Sequence, residues 1–334
     1  MKEGKISNTI LDRSVFKLLS KKGDSLLCER PAVGRDYSAL SIGQENVVVT
    51  ATACGVNAVY NAANNIAVSG AIPAAVQCGI VMPAAYREIA LKRVMQRLND
   101  DCRQLGIEIS GGHTQVSGAV SEPVITVTGI GMCKAGERLI SGKASEGDDI
   151  IATKWIGIGG VQQIIDLKRD EITARFNDLL VEKAYGSRKD LSVSKEAQIG
   201  LEMGVSAMHD VSCGGIYAAL WDLAECSQLG LSADFRKLPV CQEIIEICEM
   251  YNLNPYELDS TGCLLMTSKR GCDIVNVLQH RGISAVIIGK MVSGNDRLIR
   301  NEDETRFLET PKADELYRFY AENKVGANGK NLYK

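Results

Sequence analysis

One stretch of this chain constrains its fold more than any other: Asn61-Ala62-Ala63-Asn64-Asn65-Ile66-Ala67-Val68-Ser69-Gly70-Ala71. Residues 57–69 are rich in alanine, the residue with the highest helix propensity, and predict a helix. Gly70 follows the last helical position, as glycine commonly does where a helix ends. Within this helix Asn65 is either a ligand contact or a buried hydrogen-bonding group, and both alternatives stay open.

Strand and helix patterns surround this segment. Residues 46–53 alternate and are β-branched, which predicts a strand, and 77–82 predict another. Residues 88–105 form a strongly amphipathic pattern with one apolar face, which predicts a long helix. Two further strands are predicted at 107–110 and 124–132.

The pattern restarts near Gly147. The predicted elements there are a strand at 149–153, a glycine-rich turn at Gly157–Gly160, helices around 161–167 and 191–203, a strand at 207–211, a helix at 216–227 with Ile216, Leu220 and Leu223 on one stripe, a helix at 240–252, strands at 263–267 and 285–291, and a helix from 311. Such a mixture indicates an α/β or α+β fold. We expect an N-terminal domain at 1–147, a C-terminal domain at 148–310 and a helix and tail at 311–334.

The bulk composition narrows the class of protein. The chain has 334 residues, 45% hydrophobic and 24% charged, with a net charge of -3. This composition is typical of a globular protein, and without a long basic run it favours neither nucleic-acid nor membrane-surface binding. No signal-peptide core is recognised, so we expect a cytoplasmic protein. The chain has eleven scattered cysteines and no Cys-x-x-Cys pair. We expect most of them to be small buried side chains in a reducing compartment.

Five short motifs, in order, resemble the AIR synthase (PurM) superfamily of ATP-dependent enzymes, and the resemblance covers roughly residues 33–310. They are Gly34-Arg35-Asp36-Tyr37-Ser38-Ala39-Leu40, the Asn-Asn-Ile-Ala stretch, Ser110-Gly111-Gly112-His113-Thr114, Met208-His209-Asp210-Val211-Ser212-Cys213-Gly214-Gly215-Ile216, and the pieces from Leu238-Pro239-Val240 to Ser260-Thr261-Gly262-Cys263-Leu264. Each motif alone is weak, but five in this order are specific. Within the superfamily the chain is similar to hydrogenase maturation factors of the HypE type and their AIR-synthase-related cousins.

The resemblance implies two PurM-like α/β domains per subunit, with the N-terminal sheets of two subunits pairing into a β-barrel. It also implies ATP in a cleft lined by the N-terminal motifs, and Mg²⁺ held against the phosphates by carboxylates. The implied partners are a second copy of the chain, a small-molecule substrate and a maturation-factor protein.

Three positions where the family carries carboxylates are neutral here: Thr52, Asn65 and His113. Mg²⁺ prefers carboxylate and phosphate oxygens, so these residues predict a weakened metal site. Asp36 is the acid that remains, either as the metal and phosphate contact or as a cap of its own loop.

The resemblance points to His209 and Asp210 as catalytic residues. The pairs Gly111-Gly112 and Gly214-Gly215 are expected to bind nucleotide, since backbone N–H groups beside glycines and at helix N-termini can approach an anion. The alternative is that the glycines only allow close packing. Cys213 in the second loop could be a reactive thiol of lowered pKa.

Three functions remain open. The leading one is ATP-dependent activation of a small acid, amide or thio-group by phosphoryl transfer. The second is a degenerate dimer that binds nucleotide or a maturation partner as a scaffold without turnover. The third, weakest, is a metal- or sulfur-handling protein that uses His113 with nearby cysteines. HypE carries a C-terminal cysteine that accepts a carbamoyl group, whereas the last cysteine here is Cys272; we expect no carbamoyl dehydration by that route.

Overall fold

The structure, a computed structural model, describes residues 4–20, 26–136 and 143–323. The helices of these residues are α1 Asn8–Ser14, α2 Ala58–Ala67, α3 Glu88–Leu105, α4 Ile158–Arg175, α5 Asp178–Tyr185, α6 Ser194–Glu202, α7 Gly215–Ser227, α8 Gln242–Met250, α9 Gly271–His280 and α10 Glu315–Glu322. The strands are β1 Ser38–Ile42, β2 Asn46–Cys54, β3 Ile72–Pro83, β4 Glu108–Ser117, β5 Val124–Lys134, β6 Asp149–Thr153, β7 Ala207–Val211, β8 Gly230–Asp234, β9 Cys263–Ser268, β10 Ala285–Val292, β11 Arg297–Asn301 and β12 Glu304–Phe307. Within the described ranges, no helix combines the length and the apolar character that crossing a membrane requires.

The N-terminal sheet has the strand order β1-β2-β5-β3-β4, in which β3 and β4 are parallel and the other neighbours antiparallel. Helices α2 and α3 cover one face, where Val76, Ile80 and Leu98 are part of the core. Gly131 lets α2 approach, because a Cβ there would lie 2.5 Å from Ile66 Cγ2. Since side chains alternate along a strand, the other face, which we call the outer face, carries Cys54, Thr52, Thr128, Thr126, Gln77 and His113.

The C-terminal sheet has the order β12-β11-β8-β10-β6-β9-β7, and only β8 and β11 among its described neighbours are parallel. Helix α7 packs on one face through the predicted stripe of Ile216, Leu220 and Leu223. Helices α6 and α9 cover the other face. Ile150 and Ile151 of β6 accordingly point into different cores, as the two-residue period of a strand requires.

Hydrogen bonds from helices α2 and α3 link the N-terminal domain to the C-terminal domain. Asn64 Nδ2 donates to the carbonyl of Leu191 at 2.8 Å, and Asn64 Oδ1 accepts from Val193 N at 3.0 Å. Close by, Arg188 makes two 2.8 Å hydrogen bonds to the buried carboxylate of Asp101 on α3. A buried carboxylate needs such a partner, so these contacts hold the two halves in one arrangement.

The structure differs from the sequence patterns in several elements. Strands β1, β8, β11 and β12 had no predicted counterpart, and the predicted glycine-rich turn at Gly157–Gly160 is the start of α4. Strand β4 does not end at residue 110 but continues through Gly111, Gly112 and His113. Glycine is required inside this strand, because a Cβ at Gly112 would lie 1.9 Å from the carbonyl oxygen of Cys78. Helix α5 had no predicted counterpart, and the C-terminal helix begins at Glu315 rather than at 311.

Candidate functional site

Strand β7 carries two consecutive ionisable residues shortly before the start of α7. His209 and Asp210 are buried in β7, which is an edge strand of the C-terminal sheet. Burial raises the pKa of Asp210 to about 6, and the negative charge of Asp36 adds to the rise, while His209 and Lys5 oppose it. A carboxyl group with this pKa is largely ionised at neutral pH, and it titrates within the physiological range.

The glycine pair at the start of α7 allows a close approach of two backbones. Gly214 and Gly215 have φ values of 85° and 65°, a region that side chains rarely adopt. A Cβ at Gly215 would lie 2.5 Å from the carbonyl oxygen of Tyr256. Packing alone is therefore a sufficient reason for glycine at position 215. This agrees with the alternative that the glycines allow close packing.

Three amide groups at the start of α7 are paired within the chain. Gly214 N donates to Asp314 Oδ2 at 2.6 Å, and Gly215 N donates to the carbonyl of Ser212 at 3.0 Å. Tyr217 N donates to the carbonyl of Tyr256 at 3.3 Å. The anion at this helix N-terminus is thus the carboxylate of Asp314, in the place where we expected phosphate.

The loop that carries Asp36 packs directly on α7. A Cβ at Gly34 would lie 2.4 Å from Cys226 Sγ, and the Cys226 thiol donates to the carbonyl of Val33 at 2.9 Å. This contact places Asp36 close enough to Asp210 to raise its pKa. Two motifs about 170 residues apart in the sequence therefore meet at one place.

A cavity of about 310 Å³ lies between α2 and the C-terminal domain, and Cys213 from the loop before α7 lines it. Its lining includes Cys54, Asn57, Asn61, Gln163, Cys213, Asp259, Asp314 and Tyr320. The N-terminal domain, the C-terminal domain and the segment around α10 all contribute to it, so it is a cleft between domains, where ligand sites commonly lie.

Two buried acids, Asp259 and Asp314, face this cavity. Asp259 accepts from Thr261 N at 2.9 Å and from Gln163 Nε2 at 2.9 Å. Burial, then the charge of Asp259, raises the pKa of Asp314 to about 7, although backbone N–H donors favour its ionised form. The pKa of Asp259 is also raised by burial. The motifs had not singled out either acid: Asp259 immediately precedes the segment at Ser260, and no motif covers Asp314.

The thiol of Cys213 does not have the lowered pKa considered for it. Burial and the nearby carboxylates of Asp314 and Asp259 raise its pKa well above the ordinary value. The thiolate is the reactive form of cysteine, so this environment disfavours nucleophilic chemistry at Cys213.

The outer face brings Thr52 and His113 onto one surface. Strand register forms two adjacent cross-strand rows, Thr52–Thr128–Gln77–Gly111 and Cys54–Thr126–Gly79–His113. Thr52 Oγ1 lies 3.0 Å from Thr128 Oγ1, and His113 Nε2 lies 3.3 Å from Gln115 Oε1. Because Cys54 lines the interdomain cavity, this polar strip extends from the cavity across the sheet.

The predicted site residues therefore fall into two groups. In the first group, His209, Asp210, Gly214 and Gly215 lie at or just before the start of α7. The loop of Asp36 packs farther along α7, close enough for Asp36 to raise the pKa of Asp210. The other group, on the N-terminal domain, consists of Thr52, Gly111, Gly112 and His113 on the sheet and Asn65, which is buried on α2 one turn beyond Asn61 of the cavity wall.

A metal clamp is not formed by the residues that the structure describes. Among them, no group of three or more His, Cys, Asp or Glu side chains is arranged to hold a metal ion. Asp36, the predicted metal ligand, makes an ion pair with Lys5 at 3.5 Å. His113 contacts an amide, which gives no support to a metal site built from this histidine and cysteines.

The family follows from direct comparison. Residues 37–133 match the N-terminal domain of AIR synthase related proteins, and residues 145–300 match the C-terminal domain of the same family. Fold and motifs thus define a two-domain PurM-like α/β protein. The chain belongs to the AIR synthase related protein family, and its resemblance is to the HypE type.

Individual relatives agree with this assignment. The chain is 27% identical over 250 residues to a hydrogenase expression/formation protein of Methanocaldococcus jannaschii, covering 70% of this chain and 71% of that protein. It is 27% identical over 287 residues to the carbamoyl dehydratase HypE of Rhizobium leguminosarum, covering 80% and 79%.

Solved structures share the fold. A HypE structure in complex with ATP superposes with a TM-score of 0.66 at 21% identity, covering 82% of this chain and 88% of that one. HypE in a HypE–HypF complex superposes with a TM-score of 0.67 at 18% identity, covering 82% and 93%.

Proposed function

We propose that this protein binds ATP and activates a small acid, amide or thio-group by phosphoryl transfer, as a HypE-like member of its family. One observation carries the proposal: the loop of Gly34 and Asp36 packs against α7 close to Asp210, and Cys213, three residues after Asp210, lines an interdomain cavity. Family membership supports it, as do relatives named carbamoyl dehydratase and a neighbour solved with ATP.

The residues at this place suit phosphoryl transfer, which depends on positioning and on neutralising charge more than on covalent help. Asp210, with a pKa near 6, is available as the base that takes a proton from an attacking group at neutral pH. His209 is its neighbour in the strand and lowers the pKa of Asp210, so it stabilises the ionised form. We assign the catalytic role to this pair.

We assign nucleotide binding to Asp36 together with the polar strip on the outer face. Gly214 and Gly215 would shape the loop beside the nucleotide, because their own N–H groups are already paired within the chain. The strip offers hydroxyl, amide and imidazole groups at Thr52, Gln77 and His113, none of which carries the charge of a family carboxylate. A second subunit that pairs through its own outer face would cover the strip, so we propose a homodimer. A maturation-factor protein is a further proposed partner, supported by the neighbour solved as a HypE–HypF complex.

The test is binding and turnover measured on the same preparation. Calorimetry with ATP, with and without Mg²⁺, should show one nucleotide per chain, and phosphate release should rise when the correct acid, amide or thio-compound is present. Asp210→Asn should lower turnover at least about 100-fold and leave nucleotide affinity within about threefold, as expected for loss of a general base.

Asp303→Asn is the matched control, because Asp303 is an exposed acid in the turn between β11 and β12. It should leave both quantities unchanged. A wild-type protein that binds no nucleotide would refute the proposal.

The alternative, a scaffold that binds nucleotide or a partner without turnover, is favoured by the contact between Asp314 and Gly214. That carboxylate occupies the helix N-terminus where a phosphate could otherwise bind. A scaffold would bind nucleotide or partner but release no phosphate with any substrate, and Asp210→Asn would change neither property.

A further inference from the structure

Two carboxylates lie at the ammonium group of Lys5, and a third feels its charge. Its Nζ atom is 3.5 Å from Asp36 Oδ2 and 3.3 Å from Asp222 Oδ2. The same ammonium lowers the pKa of Asp210 against the effect of burial. Asp36 lies in the loop before β1, Asp222 on α7 and Asp210 on β7. The charge of Lys5 therefore interacts with three separate parts of the fold.

The segment that carries this lysine is anchored on both sides. A Cβ at Gly4 would lie 3.3 Å from Tyr317 Cε2, so the backbone there packs on α10. On the other side, Asn8 Nδ2 donates to Asp222 Oδ1 at 3.2 Å. The Lys5 side chain is 45% exposed. The anchored residues on either side of it, Gly4 and Asn8, keep its ammonium group close to the acids.

The family resemblance implies Mg²⁺ at such a site, and the residues present do not fit it. Thr52, Asn65 and His113 are neutral at the family carboxylate positions, and the described residues form no metal-ligand group. The remaining acid, Asp36, is already paired with Lys5. A divalent cation on the same oxygens would lie close to the ammonium, where like charges repel.

We propose that the ammonium of Lys5 takes the place of a divalent cation at this acid cluster. For the nucleotide this inference rests on the proposed function: the lysine lowers the negative charge that the acid cluster presents to the phosphates, and binding does not need Mg²⁺. A lysine is a compact point charge and a regular phosphate ligand. Its attachment to the chain also makes the charge permanent at the site.

The variants are Lys5→Met, which removes the charge, and Lys5→Arg, which keeps it. Lys17→Met is the matched control, because Lys17 is also close to the N-terminus and pairs with Asp12 at 3.3 Å, but both side chains are well exposed. Thermal melting checks that all variants fold.

The first measurement uses Mn²⁺ alone as the probe and follows the free-ion signal by electron paramagnetic resonance. Lys5→Met should gain one Mn²⁺ per chain, with an affinity at least about tenfold above wild type, because unneutralised carboxylates attract a divalent ion. Lys17→Met and Lys5→Arg should match wild type. Equal Mn²⁺ binding by wild type and Lys5→Met would overturn the inference.

The second measurement compares a non-hydrolysable ATP analogue in chelator and in Mg²⁺ by calorimetry. Wild type should bind equally well, within about twofold, whereas Lys5→Met should lose at least about tenfold in chelator and regain affinity with Mg²⁺. A wild type that requires Mg²⁺ would overturn the inference. If wild type binds no analogue in either buffer, the proposed function fails, and the Mn²⁺ measurement alone decides the role of Lys5.

Discussion

The carboxylate of Asp314 accepts a 2.6 Å hydrogen bond from the backbone N–H of Gly214, across 100 residues of sequence. Its other oxygen accepts from Leu316 N at 2.8 Å, so Asp314 caps the start of α7 and the start of α10 at once. Both helix N-termini favour negative charge, whereas burial and the nearby Asp259 disfavour it. The balance leaves the acid titrating near neutrality.

The first prediction concerns stability and pH. The pKa of Asp314 is about 7 in the folded protein and near 4 in an unfolded chain, so the folded state holds this proton more tightly. Stability from this group is full below pH 4 and is lost as the pH rises through 7. Thermal melts between pH 5 and pH 8 should show a falling melting temperature, and Asp314→Asn should remove roughly half of the fall.

The remaining slope is expected from Asp210, with a pKa of about 6, and from Asp259, whose pKa is raised in the same direction. Asp303→Asn, an exposed control, should keep the wild-type slope. An unchanged slope in Asp314→Asn would show that this carboxyl group does not titrate in the range.

Local sequence patterns correctly predicted helices that bury one apolar face. The amphipathic period predicted α3 at Glu88–Leu105, which is where the helix lies. The stripe of Ile216, Leu220 and Leu223 is buried against the C-terminal sheet as predicted. In both cases the burial of one apolar face is the main local determinant, and periodicity reveals it.

Contacts between distant segments were not predictable in this way. The pairing of Asp314 with Gly214 and of Lys5 with Asp222 depends on the whole fold, and no local pattern encodes it. The end of strand β4 was predicted wrongly at the Gly111-Gly112 pair for a different reason. Glycines usually mark loops, but a strand whose backbone passes close to Cys78 needs a residue without a Cβ.

The second prediction tests whether Gly215, the first residue of α7, serves packing. Gly215→Ala should lower the free energy of unfolding by about 2 kcal/mol or more, because the new Cβ meets the Tyr256 carbonyl at 2.5 Å. Gly204→Ala is the control: its φ of 72° is similar, but nothing lies within 4 Å of the added atom. It should cost only about 1 kcal/mol. Urea unfolding that gives equal losses would show that backbone conformation alone matters at Gly215.

The third prediction concerns the buried ion pair between α3 and the C-terminal domain. Arg188→Met should cost about 3–5 kcal/mol of unfolding free energy, because it leaves the Asp101 carboxylate buried without a partner. Arg103→Met should cost under about 1 kcal/mol, because its pair with Asp100 is 3.8 Å long and exposed. Adding Asp101→Asn to Arg188→Met should recover part of the loss. Full additivity in this double-mutant cycle would mean that the pair is not coupled.

The last prediction addresses the proposed dimer through the outer face. Ile72 and Met132 are register partners on β3 and β5, and they are 76% and 58% exposed on the isolated chain. Neighbouring apolar side chains of this size are typical of surfaces that a partner covers. Light scattering should give twice the 36.1 kDa mass of one chain, and Met132→Glu should shift the protein to monomer without lowering its helix content. Leu179→Glu, on α5 and 62% exposed, should leave the dimer intact. A wild-type protein that stays at the mass of one chain at micromolar concentration would refute the dimer. A dimer insensitive to Met132→Glu would place the interface on another surface.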